Sequence, residues 1–184
     1  MKIIETSIPG LLIIEPLVFA DQRGYFLESY NQQELQEAGI SNIFVQDNES
    51  KSGKGVIRGL HYQIAPYAQA KLVRVIKGCV YDVAVDCRKG SPTFGQSYGL
   101  EISEENKLQF FIPQGFAHGF SVLSETAIFS YKCDAFYNPT VDRGIRYNDP
   151  ALKIDWKIDP SEAIVSDKDS ILPMFADAEM NFKF

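Results

Sequence analysis

Histidine is scarce in this chain: two among 184 residues, His61 and His118. That scarcity works against a catalytic metal centre. A barrel-held divalent ion is usually gripped by several histidines and a glutamate. Here the position two beyond His61 is Gln63, and no glutamate lies between Glu49 and Glu101. No bound metal is expected. Cysteine is scarce too. Cys79, Cys87 and Cys133 are odd in number and lack CxxC spacing, which argues against a disulfide framework or a zinc site.

Basic residues are outnumbered, with 18 Lys and Arg against 24 Asp and Glu and a net charge of −6. Binding to nucleic acid or an anionic membrane needs a basic face, so both are disfavoured. Long apolar runs are missing, so no membrane-spanning segment is expected. The opening Met1-Lys2-Ile3-Ile4-Glu5 does not read as a secretion signal, because Glu5 interrupts the apolar stretch. A reduced, cytoplasmic protein forming one domain over 1–184 is expected.

Aromatics are plentiful, with 13 Phe and 9 Tyr, and they suit pleated surfaces. Periodicity is mostly two. Lys71, Val73 and Val75 share one face of a strand, and Ala127, Phe129, Tyr131 and Cys133 share another. The runs 71–76 and 79–86 flank Lys77-Gly78 and read as a hairpin. Gln109–Ile112 and Phe120–Leu123 read as a second pair. Ile3-Ile4, Leu11–Ile14 and Val18-Phe19 add strands near the N-terminus. Helices are few: Asn31 can cap 32–38 with Gly39 as the stop, and a short helix can start at Ser166. The fold expected is all-β, a jelly-roll barrel with extra N-terminal strands.

The two histidines sit in Arg58-Gly59-Leu60-His61-Tyr62-Gln63 and Pro113-Gln114-Gly115-Phe116-Ala117-His118-Gly119-Phe120. Arg, His and Gln among small or apolar strand residues suggest a polar-lined cavity, since an unpaired buried arginine is costly. Each candidate also has a plain structural role open to it. His61 can be a hydrogen-bonded core residue, His118 a turn stabiliser and Tyr131 a core tyrosine. Asp169 can be a helix cap, and Lys71 can reach along its stem to water.

Taken in order, several segments resemble the dTDP-4-dehydrorhamnose 3,5-epimerase family. They are Phe19-Ala20-Asp21-Gln22-Arg23-Gly24-Tyr25-Phe26, Val45-Gln46-Asp47-Asn48, Arg58-Gly59-Leu60-His61, Gly90-Ser91-Pro92-Thr93-Phe94-Gly95, the His118 segment, and Ser166-Asp167-Lys168-Asp169. The resemblance runs along essentially the whole chain and implies a cupin-type jelly roll, a homodimer, no metal and no organic cofactor. It implies conversion of dTDP-4-dehydro-6-deoxy-D-glucose to dTDP-4-dehydro-L-rhamnose. It makes His61 the base, Asp169 the carboxylate behind it, Tyr131 the acid on the opposite sugar face, and Lys71 the cation near the 4-keto oxygen. It further implies substrate contacts from Gln46, Asp47, Asn48, Arg58, His118, Tyr137, Asp142 and Lys168, with Arg23 and Glu28 supplied across the dimer. Asp142 stands where some members carry Glu.

The residue types suit that chemistry. A hydrogen beside a ketone is acidic, and a neutral imidazole can take it near neutral pH. A cation can hold the enolate oxygen, a second group must return the proton from the other face, and arginine and lysine can meet a diphosphate. The rivals are an epimerase acting at one carbon, a ketoisomerase, and a non-catalytic cupin that only binds a sugar nucleotide. Retention of His61, Tyr131 and Asp169 argues against the last.

Overall fold

The computed structural model describes residues 1–184. Its strands are β1 (Lys2–Glu5), β2 (Leu12–Glu15), β3 (Val18–Asp21), β4 (Gly24–Leu27), β5 (Gln46–Gly53), β6 (Ile57–Gln63) and β7 (Lys71–Lys77). They continue as β8 (Cys79–Asp86), β9 (Ser97–Ser103), β10 (Gln109–Ile112), β11 (Phe116–Val122), β12 (Thr126–Cys133) and β13 (Asp142–Gly144). Two short α-helices, α1 (Gln32–Glu37) and α2 (Asp167–Ser170), complete the regular structure with two 3₁₀ turns. No helix is long and apolar enough to cross a membrane.

Two antiparallel sheets face each other. One has six strands in the order β1-β2-β10-β7-β12-β5, the other five in the order β13-β6-β11-β8-β9. Val73 and Val75 of β7, Phe110 of β10 and Phe129 of β12 meet Val80 and Ala84 of β8 and Phe120 and Val122 of β11 between them. This is the cupin-type jelly roll, and β1 and β2 extend its six-stranded sheet as expected from the sequence. The residues that alternation groups on one face of β7 and of β12 do share a face, and the structure turns that face inward.

Both outer faces are covered as well, which is why several strands carry apolar residues on both sides. Trp156, Met180 and Phe182 of the C-terminal segment pack on Val83, Val85 and Leu60. Leu35 of α1 packs near Leu72 and Phe111 on the other side. Helix α1 begins at Asn31, whose side chain accepts from the Gln33 and Glu34 amides, and Gly39 ends it at φ +88°. The hairpin of β3 and β4 stands apart from both sheets with Phe19, Tyr25 and Phe26 exposed.

Two expected pairings are not formed. β7 and β8 follow one another through Gly78 yet lie in different sheets, and so do β10 and β11. Each corner carries the chain across the barrel instead of folding it back beside itself. Gly78 suits this sharp corner: its φ is +79°, and a Cβ there would stand 2.1 Å from the Thr126 carbonyl oxygen. A turn signal marks where the chain reverses, and the partner strand is set by packing between distant segments.

Candidate active site

The two histidines are register partners: His118 of β11 pairs with His61 of β6. Cross-strand partners project to the same side, so both rings belong to the inner face of the five-stranded sheet. Just beyond them the register shifts, and β6 and β11 come very close. A Cβ on Gly119 would lie 2.7 Å from the Arg58 carbonyl oxygen, and one on Gly59 would lie 2.5 Å from the Gly119 Cα. Only glycine allows this approach, which accounts for Gly59 two residues before His61 and Gly119 directly after His118.

On the facing sheet, Tyr131 pairs with Asn48 of β5 and Val73 of β7, and Lys71 pairs with Cys133. The side chains of His61, His118, Lys71, Tyr131, Asn48 and Arg58 line one cavity of about 660 Å³ between the sheets. Lys168 and Asp169 of α2 line it as well. His61 and Tyr131 therefore stand on opposite walls.

His61 Nε2 lies 2.7 Å from Asp169 Oδ1. The other oxygen of Asp169 accepts from the Gly59 amide at 3.3 Å. Ser166 caps α2 by accepting from the Asp169 amide at 3.1 Å, leaving the Asp169 carboxylate free to turn inward. Burial pushes this carboxyl up, but the His61 bond and charge, the Gly59 amide and Lys168 hold it below its ordinary range. An ionised carboxylate can only accept, so Nε2 of His61 carries the proton and Nδ1 keeps the lone pair. His61 keeps 32 % of its side-chain surface exposed while Asp169 keeps 6 %, so the ring reaches the cavity and the carboxylate stays behind it.

Lys71 is buried; its Nζ donates to the His61 carbonyl oxygen at 3.4 Å and lies 5.8 Å from the Tyr131 ring centroid. Burial pushes the Lys71 ammonium below its ordinary value, while Cys133, Asp142 and Asp82 pull it back. Burial raises the Tyr131 phenol, Cys133 adds to this, and Arg58 opposes it. The phenol thus holds its proton at neutral pH, as a proton donor must. Arg58 is oriented by a bond from its Nε to Ser52 Oγ at 3.0 Å. The set can take a proton on one side of a flat ligand, give one on the other, and stabilise an oxyanion.

Gln46, Tyr137 and Asp142 form a rim outside the lining. Gln46 donates to Asn48 Oδ1 at 3.0 Å and accepts from the Tyr137 amide at 2.9 Å. Asp142 accepts from Lys168 Nζ at 2.6 Å and from the Tyr137 hydroxyl at 3.4 Å. Three expected contacts lie away from the cavity. Asp47 alternates to the outer face of β5 and pairs with Lys132 at 2.9 Å. Arg23 pairs with Asp21 in the exposed hairpin, and Glu28 accepts from Asn31 at 2.9 Å.

Sequence reading missed Asp82, whose two carboxylate oxygens each lie 3.0 Å from His118 Nε2. Its signal was present: Asp82 and Asp86 interrupt the inward face of the otherwise apolar strand β8. Phe129, stacked on His118 with centroids 6.0 Å apart, was legible only as core. No three His, Cys, Asp or Glu side chains converge as a metal-binding group.

Residues 5–177 match the family described as dTDP-4-dehydrorhamnose 3,5-epimerase. A protein of that description from Shigella flexneri is 54% identical over 180 residues, spanning 97% of this chain and 98% of its own. The crystal structure of such an enzyme from Elizabethkingia anophelis is 56% identical, with a TM-score of 0.92 over 96% of this chain and 97% of that one. A dTDP-6-deoxy-D-glucose-3,5-epimerase from Legionella pneumophila, solved with dTDP-4-keto-L-rhamnose, is 51% identical. Its TM-score is 0.92 over 96% of this chain and 93% of that one.

Proposed function

The chain belongs to the dTDP-4-dehydrorhamnose 3,5-epimerase family, and on that premise we propose that His61 and Tyr131 are the base and acid of its reaction. The activity is that of an isomerase: epimerisation of a dTDP-linked 4-keto-6-deoxyhexose at C3 and C5 in dTDP-L-rhamnose biosynthesis.

His61 Nδ1 takes the proton from the carbon beside the ketone, and the electron pair moves onto the 4-oxygen as an enolate. Asp169 stabilises the imidazolium that forms and holds the ring in place. Lys71, itself buried, faces the developing oxyanion. Tyr131 then gives its proton to the same carbon from the opposite wall, and the configuration inverts. His61 then loses its proton to solvent water and the Tyr131 phenolate regains one, and turning the second flanking carbon to the restored pair repeats the sequence. Arg58 and Lys168 meet the diphosphate, and Gln46, Asn48, His118, Tyr137 and Asp142 hold the sugar and the nucleotide.

The protein works as a cytoplasmic homodimer of single-domain subunits, each lending Arg23 and Glu28 to the other's site. The exposed Phe19, Tyr25 and Phe26 of the β3–β4 hairpin support this, since an isolated apolar hairpin gains by being covered. Asp47, which faces away from the cavity, reaches substrate only if it too is used across the dimer.

The observation that carries the assignment of roles is the placement of His61 and Tyr131 on opposing sheets around one cavity, with Asp169 behind the imidazole. The test is turnover of dTDP-4-dehydro-6-deoxy-D-glucose in deuterated water, followed by NMR. Deuterium enters at both C3 and C5 with inversion at each. Exchange at one carbon alone would mark a single-site epimerase, and no exchange a mere binder.

A further inference from the structure

Asp82 reaches the cavity through His118. Its side chain is wholly shielded from solvent on β8, and both oxygens lie 3.0 Å from His118 Nε2. A carboxylate has no proton to give, so the proton of this forked bond sits on Nε2. The ring plane is fixed as well: Phe129 stacks on the imidazole at 23°, and Phe120 stacks on Phe129 with centroids 4.2 Å apart. Nδ1 makes no hydrogen bond within the protein, yet no fully buried side-chain nitrogen or oxygen lacks a partner. Nδ1 therefore opens on the cavity that His118 lines.

Burial pushes the His118 imidazole below its ordinary range against the pull of Asp82, and the nearby Lys71 and His61 push the same way. A neutral ring protonated on Nε2 carries a lone pair on Nδ1. We propose that Asp82 is a positioning residue that locks His118 in its Nε2–H tautomer, so that Nδ1 faces the hexose as the acceptor for a ring hydroxyl. The inference rests on the reading of this cavity as the sugar site, and it divides the labour within it. A lone pair repels an enolate oxygen and attracts a hydroxyl, so His118 sets the orientation of the ring while Lys71 alone meets the oxyanion. A site built to bond a hydroxyl discriminates strongly against a sugar that lacks it.

The experiment is imidazole NMR of the full chain labelled with ¹⁵N-histidine, in which His61→Gln assigns the two rings. In the expected result, His118 is protonated on Nε2 and bare on Nδ1. Adding dTDP-L-rhamnose, a stable hydroxyl-bearing probe, moves Nδ1 of His118 upfield, and dTDP alone does not. In Asp82→Asn the carboxamide can donate or accept, so the two tautomers mix. The KM of that variant rises about tenfold while kcat changes by less than about twofold, as expected for one ground-state hydrogen bond. A proton on Nδ1 in the sugar complex overturns the proposal, as does an Nδ1 signal that ignores the sugar while His61 responds. If neither ring responds, the sugar does not enter this cavity and the assignment of roles falls too. The tautomer in the unsubstituted protein decides the matter even if Asp82→Asn does not fold.

Discussion

His61 and Asp169 stand 108 residues apart in the chain and 2.7 Å apart in the fold. A central strand supplies the imidazole and a one-turn helix near the C-terminus supplies the carboxylate. The helix is placed by its own cap: Ser166 satisfies the Asp169 amide, and the Asp169 side chain is free to reach β6.

Asp169→Asn therefore removes the charge behind the base while keeping the shape. Exchange of substrate hydrogen slows by roughly 10²–10⁴-fold, the range of positioned acid–base pairs, while dTDP binding holds. The same carboxyl leaves a mark on stability. A carboxyl held below its ordinary value stabilises the fold above the unfolded value of about 3.9, and the gain is lost as pH falls through the folded value. The stability difference between the natural protein and Asp169→Asn, measured by denaturant unfolding, is flat near neutral pH and shrinks below about pH 4.

Lys71 sets the alkaline limit. Burial moves its ammonium below the ordinary lysine value of about 10.4, whereas burial moves the Tyr131 phenol above its own. Rising pH thus strips the charge from Lys71 sooner than from a free lysine and ionises Tyr131 later than a free tyrosine. The fall in kcat begins below pH 10.4 and persists, read as hydrogen exchange, in Tyr131→Phe. Lys71→Met lowers kcat by about 10²–10³-fold, the loss of one oxyanion-stabilising group.

The proposed exchange of Arg23 between subunits makes its own prediction. Arg23→Ala and His61→Ala are each nearly inactive alone. Co-refolded in equal amounts, they form mixed dimers in which one site is whole, and about a quarter of full activity returns by random pairing. Recovery of no activity places Arg23 outside the partner's site.

Much of the scaffold was legible in local pattern. Alternation showed which residues of β7 and of β12 share a face, and the caps at Asn31 and Ser166 started both helices. Strand partners were not legible. Lys77-Gly78 signals a reversal, but the choice between folding back and crossing the barrel is made by the inter-sheet core around Phe110, Phe120 and Phe129. The site was legible in its residue types and through family resemblance. Its geometry was not, because the His61–His118 register and the reach of Asp169 depend on contacts far apart in sequence. Asp82 shows the limit well: a buried aspartate in a strand announces a partner, and nothing local names His118.

The opposing placement of His61 and Tyr131 is tested most directly by separating proton removal from proton return. Tyr131→Phe keeps the base wall and removes the acid wall. Incubated with dTDP-4-dehydro-6-deoxy-D-glucose in deuterated water, it is expected to wash in deuterium while little inverted sugar accumulates, and His61→Ala is expected to do neither. Inversion in Tyr131→Phe at the natural rate, or loss of exchange and inversion in equal measure, would contradict the division of the two sugar faces between these residues.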